Sequence, residues 1–139
     1  MRDHSLVYPM FAMVLLTFSV LVRLFRARTA AVASGAIKAS YFRIYQDGTE
    51  PAASAQLARN VSNLFEAPVL FYAACVTALA LQVESVAVLG LAWAYVVLRV
   101  VHSYIHTGRN RLKGRIYAFF SSWLVLLALW GTIVFEVAS

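Results

Sequence analysis

The side chains best suited to chemistry in this sequence fall in three short stretches. Arg59, Asn63 and Glu66 are spaced i, i+4, i+7, Arg99, His102 and His106 are spaced i, i+3, i+7, and Arg115 follows. At about 100° per residue, each of the first two sets lies along one stripe of an α-helix. Tyr95, one turn before Arg99, extends the second stripe. All three stretches are embedded in apolar sequence, where a bilayer rejects an isolated charge. The expectation is therefore that Glu66 pairs with Arg99 at similar depth, and that Arg115 snorkels to the same level. The result is a polar pocket between helices, open at one membrane face. Arg59, Arg99 and Arg115 outnumber Glu66 in it, which suits an anionic ligand. An Arg–Glu pair alone can serve only to fix helix register, but more polar groups converge here than such a pair requires.

Other chemistries fit these residues less well. His102 and His106 at i, i+4, with Glu66, have the elements of a metal site. Three neighbouring arginines repel a dication and no second carboxylate is at hand, so no metal is expected. The sequence shows no apolar slot for a haem. Cys75, among Ala73, Ala74 and Val76, reads as packing, and one cysteine makes no intrachain disulfide. Tyr8, Trp93, Tyr95, Trp123 and Trp130 read as bundle filling or interface belt.

The elements that must position these residues are set by composition. Of 139 residues, 62% are hydrophobic and 13% charged, with a mean hydropathy of +0.74. Soluble domains are nearer half apolar and a quarter charged. Apolar windows run over 6–21, over 64–83 with Glu66 inside, over 86–105 with Arg99 and His102 inside, and over 116–135 without a charge. Each is long enough to cross a bilayer, and none alternates as a barrel strand does. The predicted fold is all-α and integral to the membrane: one four-helix domain over 1–139, with spans at about 6–24, 60–83, 86–106 and 116–136. Four spans take ~80 positions, which excludes a second domain and a nucleotide-binding α/β fold. The net charge of +6 then speaks for a bilayer partner and against nucleic acid.

Of the twelve Lys and Arg residues, Arg99 lies inside a span and Arg2 stands at the opposite side with Glu84 and Glu136. The other ten (Arg23, Arg26, Arg28, Lys38, Arg43, Arg59, Arg109, Arg111, Lys113 and Arg115) flank the two loops that join spans one to two and three to four. By the positive-inside rule both loops are cytoplasmic and both termini lie outside the cytoplasm. The loop cations beyond the three stretches read as topology and anionic-lipid signals. Three arginines separate the first window from the small-residue run Ala31-Val32-Ala33, so that window reads as an anchor in preference to a cleaved signal. In the loop over 29–53, Asp47-Gly48 reads as a turn and Thr49-Glu50-Pro51 as the start of a helix. Pro68 should kink that helix near Leu64. Asn60-Val61-Ser62 matches a glycosylation acceptor, but on the cytoplasmic face it is a chance match. Such short loops suit a bacterial inner membrane.

At its polar residues the sequence resembles the MAPEG family, the membrane-associated proteins of eicosanoid and glutathione metabolism, in its bacterial branch. The resemblance rests on Arg59-Asn60-Val61-Ser62-Asn63-Leu64-Phe65-Glu66-Ala67-Pro68-Val69-Leu70-Phe71, on Arg99-Val100-Val101-His102-Ser103-Tyr104-Ile105-His106, and on Arg115. It implies a homotrimer with glutathione bound between subunits near the cytoplasmic face. It also implies that Arg59, Asn63, Glu66, Arg99, His102 and His106 line the glutathione site, that Arg115 contacts the thiol, and that Arg23 is a further contact. Several members have Tyr where His106 stands, and the prostaglandin synthase-like members have Arg where Ser62 stands.

The expected function is a membrane glutathione transferase or peroxidase acting on lipophilic electrophiles, with Arg115 stabilising the thiolate. The alternative is a non-catalytic MAPEG-like binding or scaffold protein. A transporter or channel subunit is disfavoured, because the polar groups cluster at one end and line no full path.

Overall fold

In the computed structural model, residues 4–138 are described; Arg2, used above for orientation, lies outside the described residues. The described chain is helical: α1 (Val7–Ala33), α2 (Tyr41–Ile44), α3 (Ala52–Leu64), α4 (Ala67–Ala80), α5 (Val86–Thr107) and α6 (Leu112–Ala138). Four stretches are long and apolar enough to cross a membrane: α1, α3 with α4 (Ala52–Ala80), α5 and α6. Large apolar side chains stand outward along them, Phe18 at 62% exposure and Leu124 at 68% among them. An apolar surface of that extent has lipid as its solvent. The protein is an integral, multi-pass membrane protein.

The first helix runs further than its apolar window, to Ala33 instead of about 24. Hydropathy falls at Arg23, but no residue between there and Ala33 opposes helix, and Ala and Arg favour it. At 1.5 Å per residue α1 is about 40 Å long, roughly 10 Å more than the hydrocarbon thickness. It stops in a glycine cap. Gly35 has φ +74°, its N–H bonds Val32 O at 3.0 Å, and Ala36 N–H bonds Ala31 O at 3.0 Å, the paired bonds of a Schellman motif. A Cβ at Gly35 meets no atom within 4 Å, so the penalty for a side chain is backbone strain alone. Gly35→Ala is therefore expected to cost about 1 kcal/mol, read as a small fall in Tm with ligand affinity unchanged.

Beyond the cap, α2 brings Phe42 and Tyr45 against Arg28. The Arg28 guanidinium lies 4.8 Å from the Phe42 ring centre and 5.6 Å from that of Tyr45, and it holds Glu50 through Nε–Oε1 at 2.8 Å and Nη2–Oε2 at 3.3 Å. This clasp fastens the end of α1 to the residues just before α3. Asp47, in the expected turn, adopts φ +61°. Helix α3 begins at Ala52 with Pro51 as its N-cap, next to the start read from Thr49-Glu50-Pro51 and well before the apolar window.

Pro68 acts more strongly than a kink. The helix stops at Leu64 and restarts at Ala67, with Phe65 at φ −100°, ψ 1° and Glu66 at φ −95°, ψ −89°. Pro68 occupies the first turn of α4, where its missing N–H is no loss.

The core runs along the bundle axis through Met13 and Val20 of α1, Leu64 of α3, Phe71, Ala74, Cys75 and Ala78 of α4, Val88, Ala92 and Tyr95 of α5, and Leu126, Leu129 and Ile133 of α6, each at most 2% exposed. Alanines at the contacts let backbones approach closely. Phe71 stacks on Tyr95 with ring centres 4.7 Å apart and planes 13° from parallel. Trp130 Nε1–H donates to Leu70 O at 3.2 Å, tying α6 to α4. Cys75 is a buried free thiol. Helices α5 and α6 form the most extensive pair.

Candidate functional site

The two helical stripes meet where α3, α5 and α6 come together at one end of the bundle. Arg59 and Asn63 stand one turn apart on α3, and Glu66 follows in the break. Opposite them, His102 and His106 project from the last turns of α5, and Arg115 from the first turn of α6. With Ile116, Phe119 and Phe120 these side chains line an open cleft of about 280 Å³, the lower end of ligand-site volumes. One wall is polar, and on the other Ile116, Phe119 and Phe120 of α6 form an apolar surface beside Arg115.

Each element is fixed by polar contacts behind the lining. Gln56, one turn before Arg59, donates its side-chain N–H to His106 O and, at 3.3 Å, to Gly108 O. Ser103 Oγ–H donates to Asn60 Oδ1 at 3.3 Å. These bonds seal α3 onto the end of α5, and they bury Asn60 completely, so Asn60 of the Asn60-Val61-Ser62 match is no surface acceptor. His102 Nδ1 lies 3.2 Å from Arg115 O. A carbonyl only accepts, so Nδ1 carries the proton and Nε2 is the nitrogen left for the cleft. His106 stacks obliquely on His102 at 5.6 Å, and among the described residues its buried Nδ1 has no hydrogen-bond partner. Phe119 lies against His102 at 5.8 Å. Arg115 Nη1–H donates to Asn110 Oδ1 at 3.0 Å. Asn110 itself sits at φ +49° in the turn between α5 and α6, a conformation Asn tolerates.

Two expected site residues stand elsewhere. Arg23 is exposed on α1 and donates to Thr107 Oγ1 at 3.0 Å, outside the lining. Arg99 is wholly buried behind Asn63. It donates from Nη2 to Asn63 Oδ1 and, at 3.3 Å, to Asn63 O. The expected Glu66–Arg99 ion pair is not formed. Depth along a continuous helix predicts that pair. The break at residues 65–66 instead turns Glu66 outward, where it is exposed, and leaves the end of α3 to receive the guanidinium. Among the described residues Arg99 Nε and Nη1 have no hydrogen-bond partner. Its charge still adds to that of Arg59 and Arg115, so the surplus of cation over Glu66 stands.

Several contributors escaped the sequence reading. Gln56 extends the Arg59–Asn63 stripe one turn backwards, a signal that helical spacing carries. Phe119 follows Arg115 by one turn on the same face. Asn110 gave no signal beyond lying in a turn. Among the described residues no group of three or more His, Cys, Asp or Glu side chains converges as metal ligands do.

Comparison with protein-family models matches residues 6–135 to the MAPEG family. No curated protein matches, and no solved structure does.

Proposed function

The chain belongs to the MAPEG family, whose members include glutathione transferases and peroxidases as well as non-catalytic proteins, and from that premise we propose that it is a glutathione-dependent transferase or peroxidase acting on lipophilic electrophiles. The observation that carries this reading is the convergence of Arg59, Asn63, Glu66, His102, His106 and Arg115 on one cleft. Glutathione has two carboxylates, one ammonium and a thiol. Arg59 and Arg115 suit the anionic groups and Glu66 suits the ammonium. Further parts of the proposal are a homotrimer with the cleft between subunits, Arg23 as a contact supplied at that interface, both termini outside the cytoplasm, and a bacterial inner membrane as the location.

The chemistry follows from the thiol. A free thiol of pKa about 8.5 is only ~3% ionised at pH 7. The Arg115 guanidinium, steadied by Asn110, favours the anion and makes thiolate the major form. In transfer, the thiolate sulfur forms a bond to the electrophilic carbon while the leaving group departs with its electron pair. Ile116, Phe119 and Phe120 form the apolar side of the cleft beside Arg115, suited to an electrophile arriving laterally from the bilayer. Ionisation supplies roughly 15-fold or more, and positioning adds to it.

Titration calorimetry of the purified protein with glutathione tests the reading. Saturable binding below millimolar concentration is expected. Absence of heat at millimolar ligand sinks the glutathione reading and leaves a scaffold role.

A further inference from the structure

We propose that Arg99 is a positioning residue that acts through Asn63: it fixes the Asn63 amide so that this side chain presents a hydrogen-bond donor, and never an acceptor, to the cleft.

The argument starts from the helix break. Where α3 stops at Leu64, its last carbonyls lose their partners one turn ahead. The Asn63 carbonyl receives only a long bond from Glu66 N–H at 3.4 Å. Arg99, reaching across from α5, donates to that carbonyl from Nη2 at 3.3 Å and so caps the end of α3 with a positive charge, the sign a helix C-terminus favours. The same nitrogen also donates to Asn63 Oδ1. A guanidinium has five N–H groups and no acceptor, so the amide group turned towards it must be the oxygen. The Asn63 Nδ2 group is then directed away from Arg99. Among the described residues it has no protein partner, and Asn63 lines the cleft while Arg99 does not.

The assignment has consequences for the ligand. An asparagine free to rotate offers either its carbonyl or its amino group. Here the wholly buried Arg99 makes that choice before any ligand arrives. The ligand atom that meets Asn63 is an acceptor, a carboxylate or carbonyl oxygen, and a group that can only donate is excluded. Arg99 thereby contributes without touching the ligand, which separates it from Arg59 and Arg115.

The inference rests on the glutathione reading for its ligand but not for its clamp, and the test keeps the two apart. Glutathione affinity is measured by calorimetry for the wild type, Arg99→Lys, Asn63→Ala and the double variant. Lysine retains the charge, but its nitrogen ends one bond short of Nη2, the single nitrogen that reaches both Asn63 oxygens. If Arg99 works through Asn63, Arg99→Lys weakens glutathione roughly tenfold in the wild-type background and less than about twofold once Asn63 is alanine. Equal losses in both backgrounds overturn the proposal, since they mean a direct contact or a field effect. If the wild type binds no glutathione, the functional reading fails, and the clamp is judged from ligand-free thermal unfolding of the same proteins. Non-additive falls in Tm support it and additive falls overturn it. Should Arg99→Lys not fold, Arg99→Gln replaces it, since its amide ends short of Asn63 and offers an oxygen as well as an N–H, so it no longer fixes the Asn63 amide. Asn63→Asp is independent of any change at Arg99: it keeps an oxygen facing the guanidinium but removes the donor from the cleft. The expected result is a Tm no lower than that of the wild type with glutathione weakened at least tenfold. A fall in Tm with affinity retained overturns the assigned orientation.

Discussion

Arg115→Ala is expected to bind glutathione within a few-fold of the wild type while the ultraviolet absorbance of the bound thiolate falls to that of free glutathione. At pH 7 the ionised fraction drops from a majority to ~3%, so turnover falls by roughly 15-fold or more from ionisation and further from lost orientation. Affinity survives because Arg59, Asn63 and Glu66 remain to hold the rest of the tripeptide. The fold survives for a separate reason: the link from residue 115 to His102 is made by the main-chain carbonyl, which alanine retains. Among the described residues the side chain itself hydrogen-bonds only Asn110. Difference spectra of the bound ligand, paired with calorimetry, check both halves. Thiolate absorbance that persists in Arg115→Ala assigns ionisation to another group.

The largest effect on stability is expected at Phe71→Ala. Phe71 is wholly buried and stacked on Tyr95, so truncation leaves a cavity where α4 meets α5. Emptying such a site in a water-soluble core costs about 3–5 kcal/mol. Lipid or detergent solvates the exposed ring in the unfolded bundle, so the transfer contribution shrinks and the lost packing remains. A cost of about 3 kcal/mol is therefore expected, at the low end of that range. Reversible denaturant unfolding of the purified protein measures it. Phe18→Ala, at an outward position 62% exposed, is the control and should change stability by less than about 0.5 kcal/mol.

The sequence made the cleft legible where helical geometry alone decides it. Arg59 with Asn63, and His102 with His106, lie one turn apart on regular helix, and regular helix carries their spacing faithfully into three dimensions. Glu66 illustrates where that reasoning stops. Pro68 announced a disturbance, but the direction in which Glu66 would point depends on two backbone angles that no periodicity encodes. The misplaced Glu66–Arg99 pair follows from that single gap, because a buried guanidinium takes whichever oxygen the fold delivers. The length of α1 was missed for a different reason: hydropathy measures preference for lipid, and Arg23 to Ala33 lack that preference while keeping helix propensity. Asn110 belongs to a turn, where a side chain's partner is set by tertiary approach and not by spacing.

The most extensive helix pair, α5 and α6, also bears on biogenesis. Chains emerge N-terminus first, and packed neighbours fold as units. Arg59 and Asn63 therefore enter the membrane well before the hairpin that carries His102, His106, Arg115 and Phe119. No ligand can be held until that last hairpin has inserted. Any ligand that then bridges α3 and the hairpin binds the assembled protein and not its separated parts, so it stabilises assembly by mass action.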